Sequence, residues 1–110
     1  MTVDGMAISF EDLFGRRIRL TAERWNHIET EHPEMRHARP RIQETVAEPD
    51  VIVRSRTDDE VELFHRLYES TPVTTKHLCV VVKVRLDDKF VITAYYTEAA
   101  KQGEKLWQKR

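Results

Sequence analysis

Histidine is the side chain whose ordinary pKa suits proton transfer near neutrality. This chain has five: His27, His32, His37, His65 and His77. His27 stands four residues after Glu23 and four before Glu31, so both carboxylates can reach its face of a helix. That arrangement suits an acid or base held by its neighbours, and equally a solvated helix face. His32 falls where the same segment ends, placed for proton transfer or to cap loose helix carbonyls. His37, His65 and His77 are isolated and read as surface residues.

Other chemistries are excluded by count and spacing. His27 and His32 are five residues apart, unlike the i, i+4 pair of a zinc-protease helix. His32-Pro33-Glu34 matches the first half of a deaminase signature, but its two-cysteine half cannot be built from one cysteine. Three glycines, Gly5, Gly15 and Gly103, are too few and too scattered for a phosphate loop or a dinucleotide fingerprint. Cys79 sits within a β-branched run and reads as a buried thiol. Neither metal nor cofactor is expected.

The apolar pattern of the second half adds a polar surface. Leu78, Val80, Val82, Val84 and Leu86 share one strand face, and Phe90, Ile92 and Ala94 share another. Matching these faces under the helices would pair Val84 with Ile92, set Lys83 across from Thr93, and set Tyr95 opposite Val81. The other face then carries Val81, Lys83, Thr93, Tyr95 and Thr97. A cation, hydroxyls and a phenol on a rigid sheet suit phosphate handling, although a solvated outer face has the same composition.

The elements that position these residues follow from periodicity. Ile8 and Phe10, a turn at Asp12 to Gly15, and Ile18 and Leu20 predict a hairpin. Thr21 is a good N-cap, and Ala22, Trp25, Ile28 and His32 fall on one helical stripe, with Pro33 ending the helix near Glu31. Leu20 and Trp25 form a hydrophobic staple. A second helix starts at Pro40, buries Ile42, Thr45 and Val46, and stops before Pro49. Strands are expected at Val51 to Arg54, Val61 to Tyr68, Leu78 to Leu86 and Phe90 to Thr97, and a short terminal helix in Lys101 to Arg110. The expected class is α+β, with an N-terminal hairpin and two helices packed on one face of a four-stranded antiparallel sheet.

Composition fits one domain spanning residues 1–110. The chain carries 18 basic and 19 acidic side chains, for a net charge of −1. That balance argues against a sequence-blind DNA coat, while leaving room for a local basic groove. No apolar run reaches the ~20 residues of a membrane helix. Met1 to Phe10 carries Asp4 and no basic segment, unlike a secretory signal, so a reducing cytoplasm is the expected location.

Four stretches together carry a resemblance: Arg19-Leu20-Thr21-Ala22-Glu23-Arg24-Trp25-Asn26-His27-Ile28; Glu31-His32-Pro33-Glu34; Glu48-Pro49-Asp50-Val51-Ile52; and Val80-Val81-Val82-Lys83 followed by Ile92-Thr93-Ala94-Tyr95. Their order and spacing resemble the phage-type members of the barnase–EndoU–colicin–RelE-like (BECR) nuclease superfamily, over roughly residues 15 to 107. The resemblance implies two helices before a four-stranded antiparallel sheet, and metal-independent RNA cleavage of the kind found in toxins and phage-associated proteins. By position it implies His27, His32, Lys83, Thr93 and Tyr95 as catalytic residues, with Thr97 among the polar sheet positions. It also implies RNA as partner, free or on the ribosome, and a cognate antitoxin or immunity protein.

Cleavage without metal needs a base for the 2′-hydroxyl, an acid for the leaving 5′-oxygen, and a cation for the phosphorane, and leaves a 2′,3′-cyclic phosphate. Lys83, Arg54 or Arg66 would supply the cation. Trp25, Phe64, Tyr68 and Tyr95 would be available to stack bases, though Trp25 and Phe64 fit a core better. Arg24, Arg54, Arg66, Tyr68, Thr97 and Lys101 are the expected substrate contacts. The competing expectation is a non-catalytic RNA- or protein-binding module.

Overall fold

The computed structural model describes residues 8–110. Two strands, β1 (Ile8–Glu11) and β2 (Arg17–Leu20), form the N-terminal hairpin. Helix α1 (Ala22–Glu31) follows, then a 3-10 turn at Pro33–Met35 and helix α2 (Arg39–Ala47). Strands β3 (Val51–Arg54), β4 (Val61–Tyr68), β5 (Lys76–Val84) and β6 (Lys89–Thr97) form an antiparallel meander, and β7 (Glu104–Gln108) returns beside β3. Thr21 caps α1 as its chemistry dictates, its hydroxyl accepting the Arg24 N–H at 3.0 Å.

The expected four-stranded antiparallel sheet is therefore incorrect. A single mixed sheet of seven strands runs β1-β2-β6-β5-β4-β3-β7. The meander is its centre. The hairpin joins one side by a parallel pairing of β2 with β6, at Arg19 and Phe90. The tail read as a helix is β7, because Leu106 and Trp107 pack on the core around an irregularity in its pairing with β3.

The register between β5 and β6 also differs from expectation. Val81 pairs with Thr93 and Cys79 with Tyr95, while Val82 pairs with Val91, leaving Ile92 as an extra residue. This bulge shifts the phase of β6, so Val91 and Ala94, three apart, both reach the core. Lys83 pairs with Phe90 instead of Thr93. Leu86, assigned above to the core face, is almost fully exposed in the connecting turn.

One face of the sheet is covered by the helices. Ile28, Met35, Ile42 and Val46 meet Ile52, Phe64, Leu78, Val80 and Val82 in a continuous core, closed by Phe10, Ile18 and Leu20 of the hairpin. The hairpin turn is tied down by charge. Arg16 donates to Glu62 on β4 at 2.7 Å and to Asp12 at 2.7 Å, while Asp12 accepts two backbone N–H groups.

The opposite face, called the far face below, is set by alternation along the same strands. Its rungs are Val61–Lys83, then Val53–Leu63–Val81–Thr93, then Val51–His65–Cys79–Tyr95, then Leu67–His77–Thr97. The connection from β6 to β7 crosses it. At Gly103 the backbone passes so close that a Cβ would lie 2.5 Å from the Arg54 carbonyl oxygen.

Candidate functional site

The crossing segment turns the far face into a shallow basin of about 540 Å3. Val61, Leu63 and Val81 form its apolar floor, and Arg56, Tyr95, Lys101 and Gln102 stand around it. Among the described residues, Tyr95 is the one aromatic side chain that lines it. The Lys101 ammonium lies 5.4 Å from the Tyr95 ring centroid. The His32 imidazole also stacks with that ring, centroids 5.6 Å apart and planes inclined by 26°. His32 gets there because Pro33 breaks α1 at Glu31 and the 3-10 turn then packs beside β6.

Of the expected site residues, this geometry brings His32, Tyr95 and Lys101 together, with Thr93 one rung away. Thr97 lies on the far face further along, its hydroxyl donating to the Ala99 carbonyl at 3.3 Å. His27 is on the outer surface of α1, 46% exposed, with Glu31 at 3.4 Å. Arg24 is half-buried on the same helix.

Lys83 is on the far face, but its ammonium is engaged. Asp58 holds it at 2.6 Å and Glu60 at 3.3 Å, and only 14% of the side chain is exposed. The Asp58 carboxylate, with Glu60 behind it, keeps Lys83 above its ordinary ammonium pKa. A phosphate would have to displace Asp58 to use that charge.

Arg54 and Arg66 are committed elsewhere. Arg54 bonds Glu104 and the Asp59 carbonyl, both at 3.0 Å. Arg66 bonds the Glu48 carbonyl on the helix side of β4. Tyr68 shares that side and donates to Glu44 at 2.5 Å. Burial first, and then the Glu44 carboxylate, push its phenol up to about 12.

Two residues escaped the sequence reading. Arg56 belongs to the loop between β3 and β4, where no periodicity ranks it. His65, expected at the surface, has no exposed area. Its Nε2 accepts the Lys101 N–H at 3.1 Å, so its proton sits on Nδ1, which has no hydrogen-bond partner among the described residues. His65 thus clips the crossing segment to the sheet and positions Lys101. Burial, helped by the positive potential of His77 and Lys101, lowers its pKa to about 4.

A testable consequence is acid sensitivity. In the unfolded chain His65 titrates near 6.5, while in the fold it stays neutral down to about 4. Stability from this group is therefore complete above pH ~6.5 and declines as pH falls toward ~4, because only the unfolded state takes up the proton. At ~1.4 kcal/mol per pH unit, wild type should lose about 2 kcal/mol more than His65→Gln between about pH 7 and about pH 5. Denaturant titrations of both proteins at the two pH values read that difference directly. Equal losses would remove His65 from this role.

The remaining far-face groups are poor bases or nucleophiles. Burial pushes the Cys79 thiol up to about 11, against a lowering by Tyr95 and Lys101. Burial and the adjoining Cys79 hold the Tyr95 phenol above its ordinary value, so it is a hydrogen-bond donor at neutral pH. No three His, Cys, Asp or Glu side chains converge as metal ligands among the described residues, and no helix there is long and apolar enough to cross a membrane. Comparison with family models, curated proteins and solved structures returned no match.

Proposed function

We propose that the chain binds single-stranded RNA across the far face and cleaves it without a metal, in the cytoplasm. The observation that carries this reading is the Tyr95 ring in contact with both the His32 imidazole and the Lys101 ammonium at an open basin. A base can pack on the apolar floor of Val61, Leu63 and Val81 beside Tyr95, with no duplex pairing needed to hold the strand. Lys101 and Arg56 supply charge for the phosphodiester. His32 takes the 2′-hydroxyl proton as the 2′-O–P bond forms, and solvent water protonates the 5′-oxygen as the P–O5′ bond breaks. Tyr95 donates a hydrogen bond to the developing charge. The BECR resemblance supports the same chemistry and makes a toxin-type enzyme the class to test.

A second reading is favoured by one specific feature. Lys83 is neutralised by Asp58 and Glu60, and one histidine alone stacks at the basin. Such a site could bind RNA without cutting it. Incubation of the purified protein with labelled RNA and ribosomes, with and without a chelator, separates the readings. Cleavage that survives chelation and leaves cyclic phosphate ends supports the enzyme. Binding without cleavage supports the module, and cleavage lost on chelation and restored by a divalent ion contradicts the metal-free scheme.

A further inference from the structure

We infer that the cavity beside Arg36 and Arg41 is a second phosphate site for the same strand, so that the RNA wraps around the 3-10 turn at the edge of β6. This rests on the RNA reading above and extends it to the length and form of the ligand. Among the described residues, no strand pairs with that edge beyond Phe90, since β2 meets β6 only at Arg19 and Phe90, and the 3-10 turn lies against it instead. Tyr95 and Tyr96 lie beyond that pair. Being consecutive, they point to opposite faces, Tyr95 to the basin and Tyr96 to the helix side.

The two faces are linked by contacts around that edge. His32 stacks on Tyr95, and its Nδ1 lies 3.8 Å from Glu34. Glu34, Tyr96, Arg36 and Arg41 in turn line a cavity of about 330 Å3 on the helix side. Arg41 is fixed there: it donates to the Tyr96 hydroxyl at 3.1 Å and the Ser70 carbonyl at 2.8 Å, with Tyr68 4.6 Å beneath its guanidinium. Arg36 and Arg39 are exposed and form no ion pair among the described residues. Residues 36 to 41 thus hold three arginines in a chain of net charge −1, with Glu34 the one carboxylate lining the cavity.

A flexible strand with one negative charge per nucleotide fits this layout. It can turn past His32 with its phosphates facing Lys101 on one side and Arg36 on the other. A stiff A-form duplex cannot follow the turn around one strand edge.

The test is binding of uncleavable 2′-O-methyl oligonucleotides by fluorescence anisotropy. A strand of about three nucleotides covers the basin, and one of about nine also reaches the arginines. Arg36→Gln should weaken the long strand about threefold at low salt and flatten its salt dependence by about 0.7, while leaving the short strand unchanged. Thermal melting should show an intact fold. If Arg36→Gln binds the long strand like wild type while Lys101→Gln weakens both strands, the second site is overturned and the RNA reading stands. If wild type binds neither strand but binds an acidic peptide or an anionic vesicle, both are overturned.

Discussion

His32→Phe should abolish most RNA cleavage, by about 10²- to 10⁴-fold, whereas His27→Ala should leave turnover within about twofold. Both histidines were candidates from the sequence, and spacing alone gave His27 the better partners, Glu23 and Glu31. Their surroundings in the fold differ. His27 lies on the outer surface of α1 beside Glu31, while His32 stacks on Tyr95 at the basin. Phenylalanine keeps an aromatic ring on Tyr95 and removes the titratable nitrogens, so a loss of rate is not a loss of packing. Single-turnover cleavage with a matched melting curve reads the result. Comparable losses at His27 and His32, or full activity in His32→Phe, would reassign the proton transfer.

The largest stability effect is expected at Arg16. It bridges two carboxylates with little solvent access, Asp12 at 2.7 Å and Glu62 at 2.7 Å, and so fastens the hairpin turn to β4. Arg16→Met leaves both carboxylates without their cation and should cost about 3 kcal/mol, the low end for a broken buried pair because Arg16 itself is partly exposed. Adding Glu62→Leu should recover part of that loss, since one stranded charge is then gone. β4 also carries Leu63 and His65 beneath the basin. Urea unfolding of the single and double variants measures both quantities. A single variant as stable as wild type would show that the network contributes nothing net.

Local chemistry was legible, and long-range geometry was not. The end of α1 follows from Pro33, and its start from Thr21, whose hydroxyl accepts the Arg24 N–H. Alternation placed Lys83, Thr93 and Tyr95 on a face away from the helices, and β5–β6 pairing keeps Thr93 and Tyr95 there beside Val81 and Cys79. The extra residue Ile92 was invisible because a bulge leaves no signature in an all-apolar stretch. β7 was misread because its neighbours Leu106 and Trp107 do not alternate, so neither strand nor helix period shows over five residues. The parallel joining of β2 to β6 depends on contacts about seventy residues apart, which no local pattern encodes.

Burial of His65 illustrates the same limit on side-chain roles. In the sequence it stands between Phe64 and Arg66, and its neighbours at strand spacing are Leu63 and Leu67, so no charged partner marks it on a strand. Its environment is made by the crossing segment, whose Lys101 N–H it accepts. Lys83 is the converse case. Its strand placed it on the far face, but Asp58, from a loop 25 residues earlier, had already claimed its charge.

The central claim is that RNA engages the basin around Tyr95. An amide chemical-shift titration with an uncleavable 2′-O-methyl single strand tests it most directly. The account predicts the largest shifts at Val81, Thr93, Tyr95, Lys101 and Gln102, together with the His32 side chain. Shifts confined to the outer surface of α1 around His27, or to the β1 edge, would contradict it.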